Sequence, residues 1–469
     1  MSLASALNSA RSGLSYTSRW AQTTSTNISN ANTLGYARRT PQLATSTMGD
    51  PVITGISRAV DASLDRMYRV EAGRTGRQDA LAQVLSVHTD VLGDTESTDS
   101  MLARLTDFRN SLGLLSLTPA DSASQRAAVT DAQDLALALN RANEGLVQAR
   151  RVAQSGVEQD VAAVNKSLAQ IAELNRRIGQ EQPGSDLQLS LQDQMTQALD
   201  DLAPVIDFTL RTTQSGEVEL FTSGGAPLLE GNAPARLSYD AATRSLMAGD
   251  VEITPGVDGV RGLSEGTLAG KLGFLTSEAP AMQHQLDEVA RALIDGFQSV
   301  EQANGGTVGL FTDAGGALGA TYAPGLAGRI AVNDAVLPEE GGALWRIRDG
   351  MAAAVPGTAG DATIVNQMAA MLDAPMSFDA AAGLGETGTL SSYMSTLIAS
   401  QQTARSEAET ARDTFSAGAE AVQSRRMGFM GVNVDDELQQ LLQIEQSYAA
   451  NSQVLRVVSQ MLDTLLESF

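Results

Sequence analysis

Residues 434–469 read VDDELQQLLQIEQSYAANSQVLRVVSQMLDTLLESF. Val434, Leu441, Tyr448, Leu455, Leu462 and Phe469 recur at every seventh position, and Glu437, Ile444, Asn451, Val458 and Leu465 follow three residues behind them. Alternating steps of three and four put both rows on one helical face, the first wholly apolar and the second mixed. A thinner version of the same pattern opens the chain. Leu7, Leu14, Ala21 and Ile28 form one row, and Leu3, Ala10, Thr17, Thr24 and Ala31 form the other. Small and hydroxyl side chains allow a bulkier helix to come close, and neither segment has enough apolar surface to fold alone. Residues 1–40 hold four arginines and no acid, whereas residues 434–469 hold six acids against Arg456. Matching heptads with opposite charge predict that the two chain ends pair as a coiled coil.

The same period, followed inward, gives the organisation. The first helix should stop in Ser29–Gly35, where Asn, Ser and Thr side chains compete for the backbone and Gly35 can take a left-handed conformation. Residues 41–60 look extended, and helical spacing returns from about Leu81 to Leu117. Thr118-Pro119 breaks it, with Pro119 suited to the first turn of the next helix. Residues 121–181 read as one long helix and 186–202 as a short one. Between 205 and 262, short alternating runs such as Glu217–Phe221 are separated by Gly and Pro turns, the signature of a small β domain. Helix returns at 278–303, a Gly-rich stretch with possible strands covers 305–350, and helices resume from 361, with a break at 428–431 before the terminal heptads.

The fold expected is mainly α with an inserted β domain, in nested layers. A terminal helical domain takes residues 1–35 and 432–469. A helical bundle with minor β segments takes 36–204 and 263–431. The β insert, 205–262, lies outermost.

Composition removes most chemistry. The 469 residues include no cysteine, so disulfides, thiolate metal sites and cysteine nucleophiles are excluded. His88 and His284 are the only histidines. His88 shares a face with Leu81, Leu85 and Leu92 and is expected to be a packed, hydrogen-bonded side chain; His284 lies off the apolar face and is expected in solvent. A net charge of −23 opposes general nucleic-acid binding. No apolar run is long enough to span a membrane, and the N-terminus lacks the pattern of a cleaved secretory signal. Gly266–Lys271 misses the phosphate-loop spacing by one residue, and Leu272 stands where Ser or Thr would hold magnesium, so the segment reads as the entry to a helix or strand. Asp435-Asp436-Glu437 sits where acids favour a helix N-terminus, which makes capping its expected role. No cofactor, metal site or catalytic constellation is expected.

Two motifs then carry a resemblance. Residues 27–41, Asn-Ile-Ser-Asn-Ala-Asn-Thr-Leu-Gly-Tyr-Ala-Arg-Arg-Thr-Pro, resemble the N-terminal motif of bacterial flagellar axial proteins of the rod, hook and hook-associated family. Residues 431–466, through Gln446-Ser447-Tyr448-Ala449-Ala450-Asn451, resemble the same family's C-terminal motif. The Gly35–Arg39 segment, the Leu117–Ser122 helix junction and the long helical region are most similar to the hook-associated protein 1 (FlgK-type) branch. Leu34 departs from the family's usual proline, and Arg39 from a common glutamine.

The resemblance implies a structural protein, not an enzyme, exported unfolded without a cleaved signal and sited extracellularly at the hook–filament junction. It implies five partners: further copies of the chain in a ring, the hook protein, a second junction protein, the export apparatus, and an export chaperone on the C-terminal helix. Another axial protein (hook, rod or second junction protein) is the alternative reading, and a cytoplasmic coiled-coil scaffold a more distant one. The residues expected to pack the terminal helices are Leu3, Leu7, Leu14, Ile28, Val434, Leu441, Ile444, Tyr448, Leu455, Val458, Leu462 and Leu465. Asn27, Asn30, Asn32, Gly35 and Tyr36 are expected to shape the turn that leaves that layer.

Overall fold

A computed structural model describes residues 3–33, 35–45, 51–213, 216–319 and 323–467 of the chain. Helix α1 (Leu3–Ser29) leads through the motif loop into an antiparallel hairpin, β1 (Arg39–Thr45) and β2 (Pro51–Arg58). Helices α2 (Ala62–Leu92), α3 (Met101–Leu117), α4 (Ser122–Gln180) and α5 (Asp186–Leu202) follow. At 59 residues, α4 is the axis of the body, about 90 Å long at 1.5 Å per residue. Asp121 starts it by accepting from the Ala123 and Ser124 amides at 3.3 and 3.0 Å. Its buried stripe runs Leu135, Leu139, Leu146, Ala153, Val157, Val164, Leu168, Ile171 and Ile178. Interleaved alanines let α2, α3 and α7 (Ala279–Ala303) approach closely.

Seven short strands come next, within the segment read as a β insert. A four-stranded sheet holds β3 (Thr209–Thr212), β4 (Val218–Phe221), β5 (Pro227–Glu230) and β6 (Ala233–Pro234). A three-stranded one holds β7 (Leu237–Asp240), β8 (Ser245–Ala248) and β9 (Val251–Glu252). The backbone closes on itself where this segment leaves and rejoins the helices: the Thr267 amide donates to the Pro204 carbonyl at 2.9 Å, and Leu268 to Val205 at 3.2 Å. The strands also lean on α4, whose Asn175 donates to the Val218 carbonyl at 2.7 Å and whose Asn165 donates to that of Leu237 at 2.9 Å. Helix α2 crosses directly beneath; a Cβ on Gly76 would meet the Pro204 carbonyl oxygen at 2.1 Å.

The chain returns through α6 (Thr267–Gly273), a π turn and α7. A small hairpin of β10 (Phe311–Asp313) and β11 (Ile330–Val332), α8 (Arg346–Asp349), α9 (Thr363–Asp373) and the pair β12 (Met376–Ser377) and β13 (Thr387–Gly388) lead to α10 (Leu390–Met430) and α11 (Val434–Glu467). Helix α10 lies antiparallel along α2, and buried Arg426 ties them, reaching Asp65 and Asp200 at 2.6 Å each. Phe108, Phe297 and Phe311 fill the centre of the core with ring centroids 5.0–5.8 Å apart.

Several expectations need correction. Helix α2 begins at Ala62, well before Leu81, because residues 62–80 present glycine and alanine, not large apolar residues, to the turn at Ala203-Pro204 and to α6. It stops at Gly93, whose φ of 73° a side chain would resist, so 81–117 is two helices. Pro119 precedes α4 without entering its first turn. The break before the terminal helix is Gly431–Asn433, not 428–431. By contrast, Gly266–Lys271 stands as read, opening α6, with Lys271 paired to Asp160 at 2.7 Å. His284 is only 18% exposed and lies 3.3 Å from Asp379 instead of in solvent.

His88 is fully buried, with Nε2 at 2.7 Å from the Gln401 side-chain oxygen. Burial, assisted by the Arg150 guanidinium, holds its imidazole below the ordinary value against the Gln401 bond. The unfolded chain therefore takes up a proton that the native core resists. Stability should fall as pH drops below about 6.5, by up to ~1.4 kcal/mol per pH unit, and be unaffected above it. Urea titrations of wild type and His88→Gln between about pH 7.5 and 5 should show a shallower fall in the variant; equal slopes would refute the assignment.

Candidate assembly interface at the paired chain ends

Helices α1 and α11 lie antiparallel, with Asn27 beside Glu437 at one end and Gly13 against Asn451 further along. The contact is made by the mixed rows. Ala10, Thr17 and Thr24 are buried on α1, facing Glu437, Ile444 and Val458, which are buried on α11. Thr17 turns its hydroxyl back to the Gly13 carbonyl at 3.0 Å, and Thr23 does the same to Arg19 at 3.0 Å. Each thereby satisfies its own polar group inside the helix, and Thr17 offers its methyl to the interface.

The wholly apolar row lies elsewhere. Leu441 and Leu455 are half-buried, as are Leu7, Leu14 and Ile28 across from them. Val434, Tyr448 and Leu462, expected between the two helices, are 37–51% exposed, as is Leu465 of the mixed row near the far end of α11. The reason is steric: a two-helix contact narrow enough for Ala and Thr on one side has room for one row of the partner, and the smaller row takes it. Leu438 and Leu442, outside both rows, are also exposed and with Leu441, Ile444, Tyr448 and Ala21 line an open groove of about 600 Å³. The side chain of Leu3, and Phe469 altogether, lie outside the described residues.

Charge does not act as read from the sequence. Among the described residues no ion pair joins α1 to α11, and Arg11 and Arg19 are exposed. Arg39 turns away to α5, 3.5 Å from Asp193 and 3.7 Å from Asp186.

The motif residues converge at the base of the pair. The Asn27 carboxamide oxygen accepts from the Tyr36 hydroxyl at 2.8 Å and the Arg39 amide at 3.0 Å. Its nitrogen donates to the Arg39 carbonyl at 2.9 Å and the Glu437 carboxylate at 3.1 Å. Gly35 sits at φ 78°, which turns the chain so that Tyr36 folds back under α1. Burial, opposed by the Arg39 guanidinium 5.1 Å from the ring, pushes the Tyr36 phenol up to about 12. Asn30 instead donates to the Thr26 carbonyl at 2.9 Å and closes the helix end, and Asn32 is exposed. Leu34 lies outside the described residues.

Sequence reasoning missed two members of this cluster, Arg39 and Glu437. Glu437 is not a capping acid: Asn433 caps α11, accepting from the Asp435 amide at 3.0 Å. An acid standing in a buried seam position was the signal that could have found it.

Residues 85–318 match the family model of the flagellar hook-associated protein FlgK helical domain. Residues 423–468, which contain α11, match that of the flagellar basal body rod FlgEFG protein C-terminal region. The chain belongs to the FlgK family of flagellar hook-associated proteins. Flagellar hook-associated protein 1 of Bacillus subtilis (strain 168) is 25% identical over an alignment spanning 98% of this chain and 97% of the relative. Its Salmonella typhimurium counterpart is 26% identical over 63% of this FlgK-family chain, an alignment that spans 56% of the relative's own length. The solved flagellar hook junction protein FlgK from Burkholderia pseudomallei aligns with a TM-score of 0.45 at 21% identity, over 53% of this chain and 46% of that one.

Proposed function

We propose that this chain is a structural component of the bacterial flagellum that forms the junction between hook and filament. One observation carries the reading: both chain ends fold into a single helical pair whose interface uses the smaller residues and leaves Val434, Leu438, Leu442, Tyr448 and Leu462 of the longer helix facing outward. An exposed contiguous apolar strip on a long helix marks an association surface. Family membership supplies its setting, among other axial proteins. On this reading copies of the chain associate through the terminal pair, with the hook protein on one side and a second junction protein on the other. The long terminal helix, detached before export, is the segment an export chaperone would cover.

Deleting residues 434–469 tests it. Cells should build intact hooks, carry no filaments and lose flagellin to the medium. Normal filaments would refute the proposal. Absent hooks would instead favour a hook or rod protein, a second reading that the match of 423–468 to the rod-type C-terminal region supports.

A further inference from the structure

We infer that Glu437, acting through Asn27, is a positioning residue that fixes the angle at which α11 leaves the body. Its consequence for assembly rests on the reading proposed above; the contact itself belongs to the single chain.

Glu437 is 1% exposed while its neighbours Asp435 and Asp436 face solvent. Burying a carboxylate is costly unless it is bonded, and Asn433 already supplies the cap, so helix formation does not require it. Its bond goes to Asn27, whose carboxamide has no freedom left: oxygen and nitrogen are both committed to the Arg39 backbone, and the oxygen also to Tyr36. Arg39 is in turn held by α5 through Asp193, which Arg58 also grips at 2.7 Å. An unbroken line of polar contacts thus runs from α11 through α1 and the hairpin into the body.

The other tether is the connector Gly431–Asn433. The Met430 carbonyl before it is pinned by the Arg38 amide at 2.8 Å. Beyond the connector, α11 packs chiefly along α1. With the carboxylate removed, α1 stays on the hairpin through Asn27 and its packing on β1 and β2, while the connector becomes a pivot at which the base of α11 can swing. With it present, two attachment points define one angle. A closed ring needs every copy to present its terminal pair at the same angle, since a heterologous contact closes only if the rotation between copies is constant.

The cysteine-free chain permits a direct test. Spin labels on Ser63→Cys in α2 and Ser447→Cys in α11, both exposed positions, report the distance between body and terminal helix in the full-length chain. Wild type should give one narrow distribution. Glu437→Ala should broaden it, and amides 435–440 should exchange at least about tenfold faster, as loss of a charge-assisted hydrogen bond implies. Glu437→Gln keeps an acceptor for Asn27 and should stay narrow. Asn27→Asp opposes two carboxylates and also sets an oxygen against the Arg39 carbonyl, so it should broaden the distribution at least as much as Glu437→Ala. An unchanged width in Glu437→Ala, or a wild-type distribution already as broad, would overturn the inference. Neither readout depends on filaments, so failure here is distinguishable from failure of the junction reading. Broad distances with normal filaments would sever the link between this angle and assembly.

Discussion

A chain carrying Leu438→Asp, Leu442→Asp and Tyr448→Asp should melt like the wild-type monomer and yet support no filaments. All three side chains are about half exposed or more and lie on the outer side of the α11 contact with α1. Exposed substitutions of this kind cost the isolated fold within about 0.5 kcal/mol each. In an assembly the same positions would be covered. Each large apolar side chain buried is worth roughly 1.5–3 kcal/mol, and an unpaired carboxylate in its place adds a desolvation penalty. Repeated at every copy, the loss exceeds what a ring can absorb. Circular dichroism melting of the purified chain, together with electron microscopy and swimming assays, measures both halves of the prediction. Variant protein recovered from the medium would show that export proceeds. Normal filaments would mean that this exposed apolar face of α11 is not the association surface.

The second large effect lies in the core. Phe108→Ala should lower stability by about 3–5 kcal/mol, the usual loss for truncating a buried aromatic. Phe108 is fully buried and contacts Phe297 on α7 and Phe311 on β10 at centroid distances of 5.8 and 5.7 Å, the second edge-on. No nearby element can collapse into the space, because α3, α4 and α7 are all braced by their own buried stripes. The expected result is a lower urea midpoint with an unchanged slope. Leu117→Ala, at an 81% exposed position on the same helix, is the matched control and should move the midpoint little. Equal effects of the two would mean that the aromatic cluster does not hold this part of the molecule.

The helical order was legible because the long helices carry strong periods. The reading of 121–181 as one helix stands against α4 at Ser122–Gln180, and that of 186–202 against α5 over the same span. The first half of α2 was not legible. Its contacts are made by Ala72, Gly73, Gly76 and Ala80, and close packing through small residues leaves no apolar signal. At the chain ends the heptads revealed that a seam existed but not which row would fill it. A heptad fixes a face about two residues wide, and the choice within it depends on side-chain volume across the contact. Glu437 fell outside the reading for a related reason. Its partner lies some 400 positions away at Asn27, and a buried acid is explicable only once that distance is closed.

The two backbone hydrogen bonds that close the chain on itself, from Thr267 to Pro204 and from Leu268 to Val205, give this molecule a socket. Everything between them begins and ends within one hydrogen bond of the same place, so a foreign domain with adjacent termini can be grafted there without moving α2, α6 or the chain ends. The graft must also cover the flank of α4 where Asn165 and Asn175 now hold strands. A passenger meeting both conditions would be displayed once per copy, at a spacing dictated by whatever the terminal helices build.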